Sequence, residues 1–343
     1  MIGFALLAVS AMLLVAGAEL FVDNAAGAAR RLGVTVFAVG LLLAGAEPEE
    51  MLTGILASLA HRPGLAVGDA LGANITMLTL TLGLAAVIRP VPFGPRVRSY
   101  AVLAAVAGVF GALALVGGLV TRLEGGLLLA AYAGLVAVIW RRERQPPLFG
   151  EVAEMAADAA DRDDDDDGRS PPLSLLLALA GLAIMTVGGR AAIAGAIRVV
   201  DLLNASDNAV GLTFLALATT AELFALVWAA ARRGATEIAV AGVVGSAAYN
   251  ATATLGAAAL VRPLATSGLL VAAAFAAALP LAVVGLARRG QLGRPAGLAL
   301  IAGYLAYVYR GAALSGNFTI GTRRARVPIA RTASGTRDDG HRL

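Results

Sequence analysis

Long apolar runs, each close to the thickness of a bilayer, recur along the chain, separated by short polar stretches rich in arginine. About 20 apolar residues cross a membrane as a helix. On that measure the pattern predicts ten spans, over residues 2–22, 33–60, 64–88, 99–119, 123–140, 173–197, 208–231, 237–261, 265–287 and 295–313. Between the fifth and sixth lies RRERQPPLFGEVAEMAADAADRDDDDDGRSPP (Arg141–Pro172), which is polar, proline-bearing and acidic. After the tenth comes a basic tail with no apolar periodicity, expected to be disordered. The predicted organisation is a five-helix repeat over 1–140, an acidic linker over 141–172, a second five-helix repeat over 173–313 and the tail over 314–343. The first segment, MIGFALLAVSAMLLVAGAEL, lacks a basic leader and is expected to stay in the membrane as a helix.

The two halves repeat each other. Ala16–Glu50, AGAELFVDNAAGAARRLGVTVFAVGLLLAGAEPEE, parallels Val187–Glu222, VGGRAAIAGAIRVVDLLNASDNAVGLTFLALATTAE, and both end on a glutamate within an apolar span. Each is followed by a polar, glycine-bearing helix start, PGLAVGDALGANITM (Pro63–Met77) and GATEIAVAGVVGSAAYN (Gly234–Asn250). Five spans per half is an odd number, so the second half must lie inverted relative to the first. That build is common among secondary transporters, with the binding site at the midplane where the repeats meet. An all-α integral membrane protein of two inverted repeats is the expected fold.

Composition agrees. Hydrophobic residues make up 59% of the chain and charged residues 15%, and the mean hydropathy is +0.80, whereas a soluble domain carries about 25% charged residues. With no cysteine, disulfides and thiolate sites are excluded. Two histidines, His61 and His341, leave haem sites, zinc proteases and Ser-His-Asp hydrolases unsupported. The net charge of +4 says less than the placement of the arginines. One side of the membrane collects Arg30, Arg31, Arg89, Arg96, Arg98, Arg141, Arg142, Arg144, Arg232, Arg233, Arg288, Arg289 and Arg294. The short loops of the other side hold Arg62, Arg122, Arg198 and Arg262. The positive-inside rule makes the linker cytoplasmic and puts both termini outside. The arginine-rich tail runs against that sidedness, and long tails weigh less than short loops.

The chemistry sits in GAEPEE (Gly45–Glu50), three carboxylates inside a span. An acidic residue at a helix centre costs about 2.5–3.5 kcal/mol on insertion scales, and Glu50 and Glu222 carry that cost at matching points of the repeats. Neither span has a basic residue nearby, so pairing to arginine is disfavoured against a shared cation at the midplane. Gly45 and Pro48 interrupt one span, and Ala218–Thr220 interrupt the other. Broken helices release backbone carbonyls that suit hard cations. Asp69 and Asn74 in one half, with Thr219, Ser246 and Asn250 in the other, add oxygen atoms. Oxygen ligands without sulfur or imidazole favour Ca²⁺, Na⁺, Mg²⁺ or H⁺.

These motifs resemble the two α-repeats of the sodium/calcium exchanger family of the cation/Ca²⁺ antiporters, with a pattern near G-T-S-x-P-E and then G-N-x-x-G-S-N. The resemblance implies a secondary antiporter working by alternating access, with spans one and six sliding against the rest. It implies no enzymatic activity and no resident cofactor, Ca²⁺, Na⁺ or H⁺ being the transported ligands. Its partners are the bilayer lipid and inorganic cations, and nothing points to nucleic acid. The matching positions make Glu50 and Glu222 the metal-binding pair. Asn74 matches the first asparagine of G-S-N, with Gly68 and Gly72 as its glycines, and Gly245 and Ser246 match the second G-S. Asn250 falls on an acidic or amide ligand. The chain also departs from the pattern. Thr-Ser before the first glutamate becomes Ala46-Glu47, the proline moves to Pro48, and Ala73, Met77 and Ala247 replace oxygen-bearing residues. Glu47 stands about one helical turn from Glu50 if the backbone there is helical. Two carboxylates that close in a low dielectric resist being ionised together, which suits proton coupling. Glu49, off that face, is left unassigned.

Other features have plainer readings. DRDDDDDGR (Asp161–Arg169) resembles the diphosphate–Mg²⁺ motif of membrane prenyltransferases, which makes a membrane-embedded Mg²⁺-dependent enzyme the alternative function. A second aspartate-rich motif at a span end is missing, and such a run is more often solvated charge. A channel would call for repeated pore loops. Glu19 and Arg190 align across the repeats and are expected to pair; Trp140, Tyr132, Tyr304 and Tyr307 are expected to anchor span ends at the interface.

Overall fold

The computed structural model describes residues 1–31, 47–143, 171–221, 223–224, 227, 236–287 and 290–314. The first half runs α1 (Ile2–Arg31), α2 (Pro48–Leu59), α3 (Pro63–Thr76), a π-helical turn π1 (Met77–Thr81), α4 (Leu82–Ile88), β1 (Val91–Pro92), α5 (Pro95–Ala114), β2 (Leu119–Val120) and α6 (Arg122–Glu143). The second runs α7 (Pro171–Leu203), α8 (Asp207–Val210), π2 (Gly211–Leu215), α9 (Ala216–Thr219), α10 (Thr236–Tyr249), π3 (Asn250–Thr254), α11 (Leu255–Val261), β3 (Leu264–Ala265), α12 (Leu270–Leu286), β4 (Gln291–Leu292) and α13 (Arg294–Leu314). Each expected span contains a described helix, and five of these helices are long and apolar enough to cross a membrane by themselves. Prolines open α2, α3 and α5, where the missing N–H is unneeded.

The halves are related by a pseudo-two-fold axis. The series α3–π1–α4 and α10–π3–α11 have the same element lengths. Residues that correspond, such as Asn74 and Ala247, lie 173 positions apart. Cross-half packings come in mates: α5 on α10 with α12 on α3, and α6 on α11 with α13 on α4. Two small antiparallel ladders do the same, β1 with β4 (Val91 opposite Leu292) and β2 with β3 (Leu119 opposite Ala265).

The ladders also sort the loops as the arginine pattern requires. β1·β4 ties the loop after the third span to the loop before the tenth, and Arg294 donates to the Val87 carbonyl there. At the opposite end, β2·β3 is joined by an Arg62–Asp207 ion pair at 3.2 Å, by Asn208 Nδ2 donating to the Ser267 carbonyl at 2.9 Å, and by a contact between Arg262 and His61.

α1 and α7 form a separate tight pair on a seam of small residues. A Cβ on Gly17 would stand 2.9 Å from the Gly181 carbonyl oxygen, and one on Gly181 2.7 Å from that of Gly17. In lipid, where apolar side chains gain nothing by leaving their surroundings, such close backbone approach is a main source of helix association. Outward faces are largely apolar, as with Val102, Val106, Val109, Phe110 and Leu113 on α5 and Leu176, Leu179, Leu182 and Val187 on α7. Glu19 and Arg190 are both exposed and form no ion pair with each other, so the expected link is absent. The seam brings backbones together and leaves side chains at aligned positions pointing away from it.

Candidate functional site

The structure begins α2 at Pro48, with Glu47 as its N-cap at φ −104°, ψ 71°. Pro48 is thus the first helical residue, and the backbone just before it, at Glu47, is not helical. The matching span in the other half breaks at Thr220, whose φ and ψ of −82° and 8° end α9. Four carboxylates, Glu47, Glu49, Glu50 and Asp69, are at most 1% exposed, and the buried residues described include no basic side chain. Buried charges are ordinarily paired or bound to a metal, so this one-sided set calls for cations or protons from outside the chain.

The carboxylates are spread out among neutral oxygens. Glu47 faces Ser246 and Glu50, while Glu50 faces Asn250 and lies close enough to Glu47 and Asp69 to feel both charges. None of the four oxygens of Glu47 and Glu50 makes a hydrogen bond of ordinary geometry. Asp69, from α3, accepts from Thr219 Oγ1 at 3.0 Å across the two halves. Asn74 Nδ2 donates to the Ala247 carbonyl at 2.9 Å, joining the two G-S-N-like motifs and leaving Asn74 Oδ1 without a partner. Thr254 Oγ1 donates to Asn250 Oδ1 at 3.0 Å. Ser246 donates to the Gly242 carbonyl at 3.1 Å, and Thr53 on α2 is buried with its hydroxyl unpartnered. Among the described residues no three carboxylates or imidazoles converge as a ready-made metal site. A cation here would be held by one or two carboxylates with hydroxyl, amide and carbonyl oxygens, a donor set suited to Ca²⁺.

The motif glycines position these groups. Gly68 and Gly72 let α3 lie directly on π2: a Cβ would come within 3.0 Å of the Gly211 Cα at Gly68 and within 2.6 Å of the Leu212 carbonyl oxygen at Gly72. π1 and π3 follow the motifs at equivalent places, and Asn250 is the first residue of π3. Such turns occur often at functional sites. Tyr132 and Tyr249 wall the Glu47 end, their rings 5.3 Å apart and edge-on. Tyr132 is 7% exposed, so it packs inside rather than anchoring at the interface, and Tyr304 is equally buried. Glu49, left unassigned by the sequence, is as buried as Glu47 and Glu50 and lies near Tyr249.

Gly45 and Glu222 lie outside the described residues, as does the aspartate run at 161–169. Of the remaining candidates, the structure brings Glu47 and Asn250 to Glu50 and Ser246 to Glu47, while Thr219 holds Asp69, whose charge reaches Glu50. Asn74 sits one turn further along α3.

A family model for the sodium/calcium exchanger protein matches residues 2–141 and 173–310, both halves and neither linker nor tail. The chain belongs to the sodium/calcium exchanger family. Among its relatives are the inner membrane protein YrbG of Escherichia coli, 31% identical over 73% of this chain and 77% of that protein, and the putative antiporter CaxA of Alkalimonas amylolytica, 27% identical over 72% and 77%. A solved structure of the sodium-calcium exchanger NCX_Mj, soaked with Na⁺ and Sr²⁺, superposes with a TM-score of 0.59 at 24% identity, covering 90% of this chain and 98% of that one. That likeness shows the fold. The family is one of transporters, so the prenyltransferase alternative has no support.

Proposed function

We propose that the protein exchanges Ca²⁺, or another hard cation, for Na⁺ or H⁺, with Glu50 and Glu222 as the paired carboxylates of the transported-cation site. The observation that carries this is the buried set Glu47, Glu49, Glu50 and Asp69 with no buried basic residue described beside it. Membership of the exchanger family supports the same assignment. Thr219, Ser246 and Asn250 supply neutral oxygens near the carboxylates, and Asn74 holds the two motifs in register. The glycine-seamed pair α1 and α7 is the unit that slides against the rest to alternate access. The arginine distribution supports a cytoplasmic linker with both termini on the opposite side.

Glu47 is the residue that sets the ion choice. It replaces the hydroxyl of the family pattern with a carboxylate beside Ser246 and Glu50, adding negative charge where a neutral ligand would bind Na⁺. The test is Ca²⁺ uptake into proteoliposomes driven in turn by a Na⁺ gradient and by a pH gradient. One gradient should drive uptake, and Glu47→Ser should weaken drive by pH relative to drive by Na⁺. Absence of uptake under both gradients overturns the exchange reading.

A further inference from the structure

Asp69 belongs to α3 of the first half, yet its partner is Thr219 of the second, whose hydroxyl donates to Oδ1 at 3.0 Å. The carboxylate is 1% exposed, and its other oxygen, Oδ2, has no hydrogen-bond partner. It lies beside Glu50. The G-N-x-x-G-S-N pattern carries an asparagine at this place, and an amide oxygen would accept the Thr219 hydrogen bond equally well. A full charge is therefore more than the clasp between halves requires, and a single neutral donor compensates a buried carboxylate poorly.

The pseudo-symmetry sharpens the point. Counting back from Glu50 and Glu222, Thr219 occupies the place that Glu47 occupies in the first half. Glu47 stands against Ser246, and Thr219 stands against Asp69. The two ends of the site related by the pseudo-two-fold thus each hold a carboxylate, Glu47 at one and Asp69 at the other, with Glu50 close to both. Both come from the first half, although the halves have diverged around them.

We propose that Asp69 is a direct cation ligand, its unpartnered Oδ2 completing with the Thr219 hydroxyl a hard-cation subsite beside Glu50. This rests on the reading of Glu50 as the cation centre. The experiment is equilibrium binding of radiolabelled Ca²⁺ to the full chain purified in detergent, alongside its melting temperature without Ca²⁺. The variants are Asp69→Asn, which keeps the acceptor and removes the charge, Thr219→Val, which keeps the charge and removes the donor, and Glu50→Gln. Asp69→Asn should weaken Ca²⁺ binding at least about tenfold with a melting temperature no lower than wild type, and Thr219→Val should lose less affinity than Asp69→Asn. Three results overturn the proposal: wild-type affinity in Asp69→Asn while Glu50→Gln loses binding, a larger loss in Thr219→Val, or a loss in Asp69→Asn matched by a lower melting temperature. Unchanged binding in Glu50→Gln instead defeats the reading of Glu50, and Asp69 is then judged on its own tenfold loss.

Discussion

Gly72 offers a sharp test of how the site is built. A Cβ there would meet the Leu212 carbonyl oxygen at 2.6 Å, the Ala216 Cβ at 2.7 Å and the Leu212 carbonyl carbon at 2.8 Å. Ordinary carbon contacts begin near 3.5 Å, so Gly72→Ala forces α3 and π2 apart by several tenths of an ångström. Because two of the three atoms are backbone, no side-chain rotation relieves the clash. Overpacking of this kind costs about 1–3 kcal/mol, offset by about 1 kcal/mol from the better helix propensity of alanine. Gly126 on α6 is the control, since a Cβ there meets nothing within 4 Å and only the propensity gain remains. Displacing α3 also moves Asp69 from Thr219 and Asn74 from Ala247, so cation binding should weaken along with stability. The assay is the melting temperature of each purified variant, paired with Ca²⁺ affinity. Gly72→Ala should melt below wild type and bind Ca²⁺ more weakly, while Gly126→Ala should melt at or slightly above it. Equal melting temperatures for the two variants would refute the close-approach argument.

Two further outcomes follow from single contacts. Asn74→Ala leaves the buried Ala247 carbonyl without its 2.9 Å donor and should cost about 1–3 kcal/mol, measured by chemical or thermal unfolding in detergent; an unchanged transition would mean that the bond between the motifs contributes nothing. Asp207→Asn removes the ion pair to Arg62, whose side chains are 36% and 24% exposed in the order Arg62, Asp207. Solvent screening limits that pair to about 0.2–1 kcal/mol, so the melting temperature should fall only slightly and the difference should shrink as salt rises.

How far the sequence could be read depended on the kind of signal. Hydropathy placed each expected span where a helix is described, because lipid demands a continuous apolar run of fixed length, and the repeat was legible from two glutamates followed by similar glycine-bearing helix starts. The helix start at Pro48 and the helix end at Thr220 followed from the chemistry of proline and of hydroxyl residues. Three features did not follow. The π turns leave no compositional mark, since they depend on a hydrogen-bond register set by packing. Glu47 and Glu50 share a face only on a helix running through both, whereas Glu47 is a non-helical N-cap. The start of α2 is covered on more than one face, so Glu49 is buried as fully as Glu50. Asp69 was legible as an oxygen donor but not as the partner of Thr219, a contact between residues 150 positions apart. Tyr132 read as an interfacial anchor because position along a span says nothing of which neighbour the ring meets.

The central claim is that Glu50 and Glu222 bind the transported cation. It is tested most directly by Ca²⁺ flux in proteoliposomes carrying wild type, Glu50→Gln or Glu222→Gln at matched protein density, under the gradient that drives the wild type. Each substitution keeps size and hydrogen-bonding capacity while removing one charge, and each alone should abolish gradient-driven flux. Flux at the wild-type rate in both variants would contradict the account.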